Sequence, residues 1–236
     1  RYTGLEADLI CCRHTLEHIP DVAHFVGLTK LAADNVAGSA VCFEIPEMMR
    51  ILREGAFWDI FHEHCTYFTP GSLGRVFRSV GFEITDLSVD YDDQYLFIEA
   101  TPTQNGSEAH PLEETVSELK DAIQHFQSVV SSRIDLWRSI LAEAKGDGRR
   151  AVLWGSGSKA VAFLNAIGFE DVIEYVVDIN PYRHGKFMPG TSQQIVSPDL
   201  LKDFRPDLVV LMNPIYEAEV RAQLEGMGLS PEILAV

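Results

Sequence analysis

Ser39-Ala40-Val41-Cys42-Phe43-Glu44-Ile45 places apolar side chains at odd and even positions alike. A run of that kind is covered on both faces, as in a parallel sheet with helices above and below. Upstream, Ala7-Asp8-Leu9-Ile10-Cys11-Cys12 has the same character. Between the two, Asp21 can cap a helix whose apolar positions are Val22, Phe25, Val26, Leu28 and Leu31, closed at Gly38. Downstream, residues 47–60 suit a helical turn and a loop, and Thr69-Pro70-Gly71-Ser72 opens a helix with Leu73, Val76, Phe77 and Val80 on its stripe. Phe82 to Val89 and Gln94 to Ala100 then alternate cleanly around a short Tyr91-Asp92-Asp93 join, which predicts an antiparallel hairpin. The order strand, helix, strand, helix, hairpin is that of the second half of a doubly wound α/β domain with one reversed strand. A core strand this close to residue 1 leads us to expect that the sequence starts inside a larger domain.

Thr103 to His110 is polar and reads as a linker. After it, Leu112, Val116, Leu119, Ile123, Phe126, Val130, Ile134, Trp137 and Leu141 step by three or four, predicting one long bridging helix. It can pack across both domains or form a coiled-coil contact. The mixed, bulky stripe favours the first. From Arg150 a strand, a Gly155-Ser156-Gly157 turn and a helix begin a small Rossmann-like unit. Its later strands fall at 173–178, 208–211 and near 233–234, with helices at 198–204 and 214–227. The expected domains are 1–102, 103–148 and 149–236.

The 236 residues carry a formal charge of -16, which argues against a partner bound through a nucleic-acid backbone. No run approaches a membrane span and no signal peptide opens the sequence. Cys11, Cys12, Cys42 and Cys65 form no CxxC pair, so free thiols and a cytoplasmic location are expected.

The chemistry concentrates in Phe61-His62-Glu63-His64-Cys65-Thr66-Tyr67-Phe68, where two imidazoles, a carboxylate and a phenol share eight residues. Such groups are costly to bury unless they pair or serve chemistry. The bland alternative is a hydrogen-bonded structural knot. A second cluster, His14-Thr15-Leu16-Glu17-His18, matches the H-x-x-E-H pattern of zinc peptidases. That chemistry needs both imidazoles on one helical face, whereas a strand runs straight into this motif and Pro20 follows it. No metal is expected.

Strand, then T-L-E-H-I-P-D, then an amphipathic helix resembles the segment after the fourth strand of class I S-adenosylmethionine-dependent methyltransferases. The stretch F-E-I-P-E…F-W-D-I-F-H-E-H-C-T-Y-F-T-P resembles the central motif of the sugar C-methyltransferase family, and W-G-S-G-S-K-A…V-V-D-I-N-P…G-K-F-M-P-G-T resembles its C-terminal domain. The resemblance covers nearly the whole chain in order. It implies a partial class I methyltransferase-like sheet and C-methylation of a nucleotide-linked keto-sugar through an enolate. It makes His64 the base, with Glu63 beside it and His62 as a third group. His14, Thr15 and Leu16 would face the cofactor, S-adenosylmethionine. Gly155, Gly157, Lys159, Asp178 and Lys186 would hold the nucleotide sugar. The sequence departs from the pattern at Phe61, where the family often has Tyr; Tyr67 or His14 would have to replace that phenol. The glycine-rich cofactor loop and the cysteine-rich zinc domain have no counterpart here, so the expectation is a C-terminal portion: either residues precede Arg1 in the native protein, or the polypeptide is truncated and inactive. A monomer or homodimer fits.

Two rivals stand beside this. Gly155, Gly157 and Asp178 have the spacing of a dinucleotide fingerprint, which would make the last unit an NAD-binding oxidoreductase module. A non-catalytic scaffold assembled through the long helix is the other.

Overall fold

A computed structural model describes residues 6–105, 108–168 and 171–236. Residues 1–5, and 106–107 of the expected linker, lie outside the described residues. The chain divides into two compact units, residues 1–54 with 63–126, and residues 55–62 with 127–236.

The first unit holds a four-stranded mixed sheet. Strand β1 is Leu9–Arg13 and β2 is Ala40–Pro46; they run parallel, with helix α1, Val22–Ala33, between them in sequence. Asp21 accepts a hydrogen bond from the His24 amide, capping α1 as its position suggests. Helix α2, Met48–Glu54, is a full element where only a turn was expected. The buried Glu47 carboxylate caps it, accepting from the Met49 and Arg50 amides at 2.7 and 2.5 Å. Helix α3, Pro70–Ser79, starts in a reciprocal capping box between Thr69 and Ser72. Strands β3, Phe82–Asp90, and β4, Tyr95–Pro102, form the antiparallel hairpin, and β4 inserts beside β2 to give the order β1-β2-β4-β3. The core is built on Phe43, Phe77, Phe82, Leu16, Ile45 and Ile98, with the Phe43 and Phe77 rings edge to face at 5.2 Å. Leu28 and Leu31, expected on the buried face of α1, are 50% and 63% exposed. Val26 and Ala33 are the fully buried positions of that helix, so its inward face is narrower than the apolar pattern.

Helix α4, Val116–Gly146, runs 31 residues. Its stripe is buried unevenly. Trp137 and Leu141 are enclosed, whereas Val116 and Ile123 are substantially exposed, and Leu112, expected on the stripe, lies before the helix begins. Ala122, off the expected stripe, packs with Met49 and Leu52 instead.

The second unit is a five-stranded, all-parallel sheet of order β7-β6-β5-β8-β9. Its strands are β5 Ala151–Trp154, β6 Ile173–Val177, β7 Gln194–Val196, β8 Leu208–Leu211 and β9 Glu232–Ala235. Helices α5, Ser158–Ile167, α6, Leu201–Phe204, and α7, Glu217–Gly226, connect them. Strands β5 and β8 are buried at every position, as central parallel strands must be. Strand β7 has only three residues, too short for a periodic signal, and escaped the sequence reading. A short 3-10 turn, Phe57–Asp59, belongs to this unit although it lies far upstream; Phe57 stacks on Phe163 of α5 at 6.1 Å.

Candidate active site

In the first unit the chain leaves the carboxyl end of β1 at Arg13 and turns sharply. His14 has φ 46°, a left-handed conformation unusual for a side chain with a Cβ. Leu16–His18 then makes one 3-10 turn. This overturns any helical H-x-x-E-H geometry. His14 instead reaches Glu44 of β2, Nε2 to Oε1 at 2.8 Å, and Arg13 grips the same buried carboxylate in a fork at 2.5 and 3.0 Å. The Arg13 guanidinium holds the Glu44 carboxyl below the usual range, with His14 adding to the effect. Of the three residues expected to face a cofactor, His14 and Thr15 are exposed at this strand end. Leu16 is fully buried in the core, so only its backbone can meet a ligand.

The eight-residue stretch enters beside this turn. Its backbone is pinned to it: the Cys65 and Thr66 amides both donate to the Glu17 carbonyl, at 2.8 and 3.2 Å. A turn falls at His62–Glu63, both exposed. His64 is half-buried and meets the His18 ring edge to face at 4.8 Å, with the Tyr67 ring 5.6 Å away on another side. His18 Nδ1 lies 3.1 Å from the Glu63 carbonyl. A carbonyl only accepts, so Nδ1 donates here and Nε2 is the ring nitrogen left to ligate. Glu17 is 2% exposed, and its Oε2 has no hydrogen-bond partner among the described residues. Ligating atoms of Glu17, His18 and His64 all lie within 4.8 Å of one another. The sequence reading singled out His64 here but passed over Glu17 and His18 once a helix was excluded. Proximity across so many intervening residues leaves no periodic trace.

In the second unit, Gly155 sits at φ 105°, where a side chain is strained and a Cβ would stand 3.4 Å from Met212 Cβ. Its amide donates to the Val177 carbonyl, turning the chain out of β5 into α5. Asp178 follows β6 and is buried. Its Oδ2 accepts from the Ser156 amide at 3.0 Å, from the Ser156 hydroxyl and from Arg183 at 3.2 Å; its Oδ1 accepts from the Asn180 amide at 2.8 Å. Burial pushes this carboxyl up, but the Ser156 hydroxyl and the other donors outweigh it and hold the group below its ordinary range. Both oxygens thus already accept from the turn itself, on an acid whose spacing matches the ribose ligand of a dinucleotide site. Lys159, in the first turn of α5, lies 3.1 Å from buried Asp59. Lys186 is exposed.

All four cysteines are free thiols. No helix among the described residues is long and apolar enough to cross a membrane.

Residues 103–229 match the C-methyltransferase C-terminal domain, and residues 1–87 match a methyltransferase domain. The chain is similar to the C-methyltransferase NovU of Streptomyces niveus, with 27% identity over 229 residues covering 91% of this chain and 53% of that protein. It therefore spans about half the length of that relative.

Proposed function

This chain belongs to the C-methyltransferase family, and from that premise we propose that it serves transfer of a methyl group from S-adenosylmethionine to carbon, on a nucleotide-linked keto-sugar. The observation that carries this is the placement of His64: a half-buried imidazole with His18 and Tyr67 around it, beside the carboxyl end of a parallel strand. Ligands of open α/β sheets collect at such ends.

The exposed His14 and Thr15 fit one end of the cofactor by position, and the buried Leu16 side chain does not. When bound, the cofactor supplies an electrophilic methyl on a sulfonium. The residues of the chain do the rest. A carbon beside a ketone is a weak acid, and His64 takes its proton on the imidazole as the enolate forms. Neutral imidazole titrates near working pH and suits this task. The Tyr67 phenol, next to His64, is the group to hold the developing oxyanion where Phe61 offers no hydroxyl. Glu63, exposed at the turn, would meet a sugar hydroxyl, with His62 beside it. In the second unit, the amide end of α5 at Gly157, together with Lys186, would take the diphosphate. Gly155 sets the turn, Asp178 braces it, and Lys159 contributes from its pairing with Asp59. The free thiols support a reducing compartment.

His64→Ala in the native enzyme tests the assignment. Loss of a positioned general base lowers the rate by about 10²–10⁴. Exchange of the substrate α-proton with deuterated solvent should fall in parallel, without any methyl transfer being needed. Exchange retained within a few-fold would remove His64 from the role.

A further inference from the structure

We propose that Glu17, His18 and His64 form a binding site for a first-row divalent cation of the zinc class, independent of the methyl-transfer proposal. Three observations converge on it. The first is the ligand set itself, one carboxylate and two imidazoles whose ligating atoms lie within 4.8 Å of one another. Ligands about 2.0–2.1 Å from zinc stand roughly 3.4 Å apart, so rotations of about 1 Å close the set. The exposed His18 and half-buried His64 have the room to make them.

The second is Glu17. A carboxylate that is 98% enclosed and has an oxygen facing no donor is costly, and a cation is the partner that answers it. Its backbone is held on the same spot by the Cys65 and Thr66 amides, so the carboxylate is fixed before any ion arrives. The third is the Glu63 carbonyl, which accepts a hydrogen bond from His18 Nδ1 and leaves Nε2 as the nitrogen available to ligate. A backbone carbonyl behind one ring nitrogen, with the other free to ligate, is the usual outer support of a metal-bound histidine. Three protein ligands leave one tetrahedral position for water or an exogenous oxygen.

Titration of the chelator-treated chain with cobalt(II), then zinc(II), tests the proposal by visible absorption and calorimetry. One equivalent is expected, with the spectrum of nitrogen and oxygen ligands and no intense near-ultraviolet thiolate band. Glu17→Gln and His18→Ala should each weaken binding by more than about tenfold, and His24→Ala should leave it unchanged. His18 is exposed, so its variant keeps the test valid even where the buried substitution harms folding. No bound equivalent, equal affinity in His18→Ala, or a thiolate band placing the ion on Cys11 and Cys42 would each overturn it. None of these readouts requires turnover, so failure here is distinct from failure of the catalytic assignment.

Discussion

Replacing Glu17 by Met is expected to stabilise the first unit. The side chain is 2% exposed, and Oε2 meets no donor. Leaving such a group unsatisfied costs about 1–3 kcal/mol. The compensation is small: Oε1 stands 3.8 Å from Nδ1 of an exposed His14, a contact worth less than about 1 kcal/mol. Methionine is similar in length and flexible enough to fill the same space. The Glu17 carbonyl, which holds Cys65 and Thr66, is untouched by the change. The balance is a gain of about 1 kcal/mol, or roughly 2–4 °C in Tm for a chain of this size. Denaturant unfolding in the presence of a chelator, followed by far-ultraviolet circular dichroism, reads it. Trp58, Trp137 and Trp154 all fall in the second unit, so tryptophan fluorescence should report an unchanged midpoint. The same variant should lose cobalt binding. A stability kept below its optimum by a group needed for binding is a familiar trade. A loss of more than about 1 kcal/mol would show that the carboxylate is a structural fixture, and the reasoning would fall.

The Glu44 and Asp178 carboxyls both sit below their ordinary values in the folded state, so each contributes stability above the unfolded carboxylate range that is lost as pH falls from about 4 downward; Arg183→Ala should shift the acid transition of the second unit to higher pH, and an unmoved midpoint would count against the bracing role. Glu114→Ala should cost about 3 kcal/mol in the first unit, because the buried carboxylate accepts from Thr69 Oγ1 at 2.6 Å and from the Gly71 amide at 2.7 Å at the start of α3; a change below about 1 kcal/mol in urea would refute the cap. Gly155→Ala should lower stability by about 1–3 kcal/mol, since its φ of 105° is hostile to a Cβ, and a neutral effect in thermal unfolding would contradict the turn geometry.

The hairpin, the parallel pair β1 and β2, and the central strands β5 and β8 were legible because burial on one or two faces writes itself into local periodicity. Pro20 and the strand before it likewise spoke against a helix at His14 to His18, and the 3-10 turn agrees. Local pattern fails where the partner is remote. Asp178 has the spacing of a ribose ligand, and spacing cannot say that Ser156, Asn180 and Arg183 occupy it. Val116 and Ile123 keep the helical step yet remain exposed, while Ala122 packs instead. The meeting of Glu17 and His18 with His64 depends on two carbonyl-anchored amides at Cys65 and Thr66, invisible to any window of sequence.

Phe57 and Asp59 carry a consequence for anyone dissecting this polypeptide genetically. They are coded ahead of the first unit's last helices and strands, yet their ring and carboxylate complete the surface of α5 at Phe163 and Lys159. No single cut yields the C-terminal sheet whole: an expression plasmid opening after the hairpin would deliver it without the Phe57 ring on Phe163 and without the Asp59 carboxylate beside Lys159. On the ribosome, too, that early turn must wait for α5 to be synthesised, a long-range closure that slows the late stage of folding.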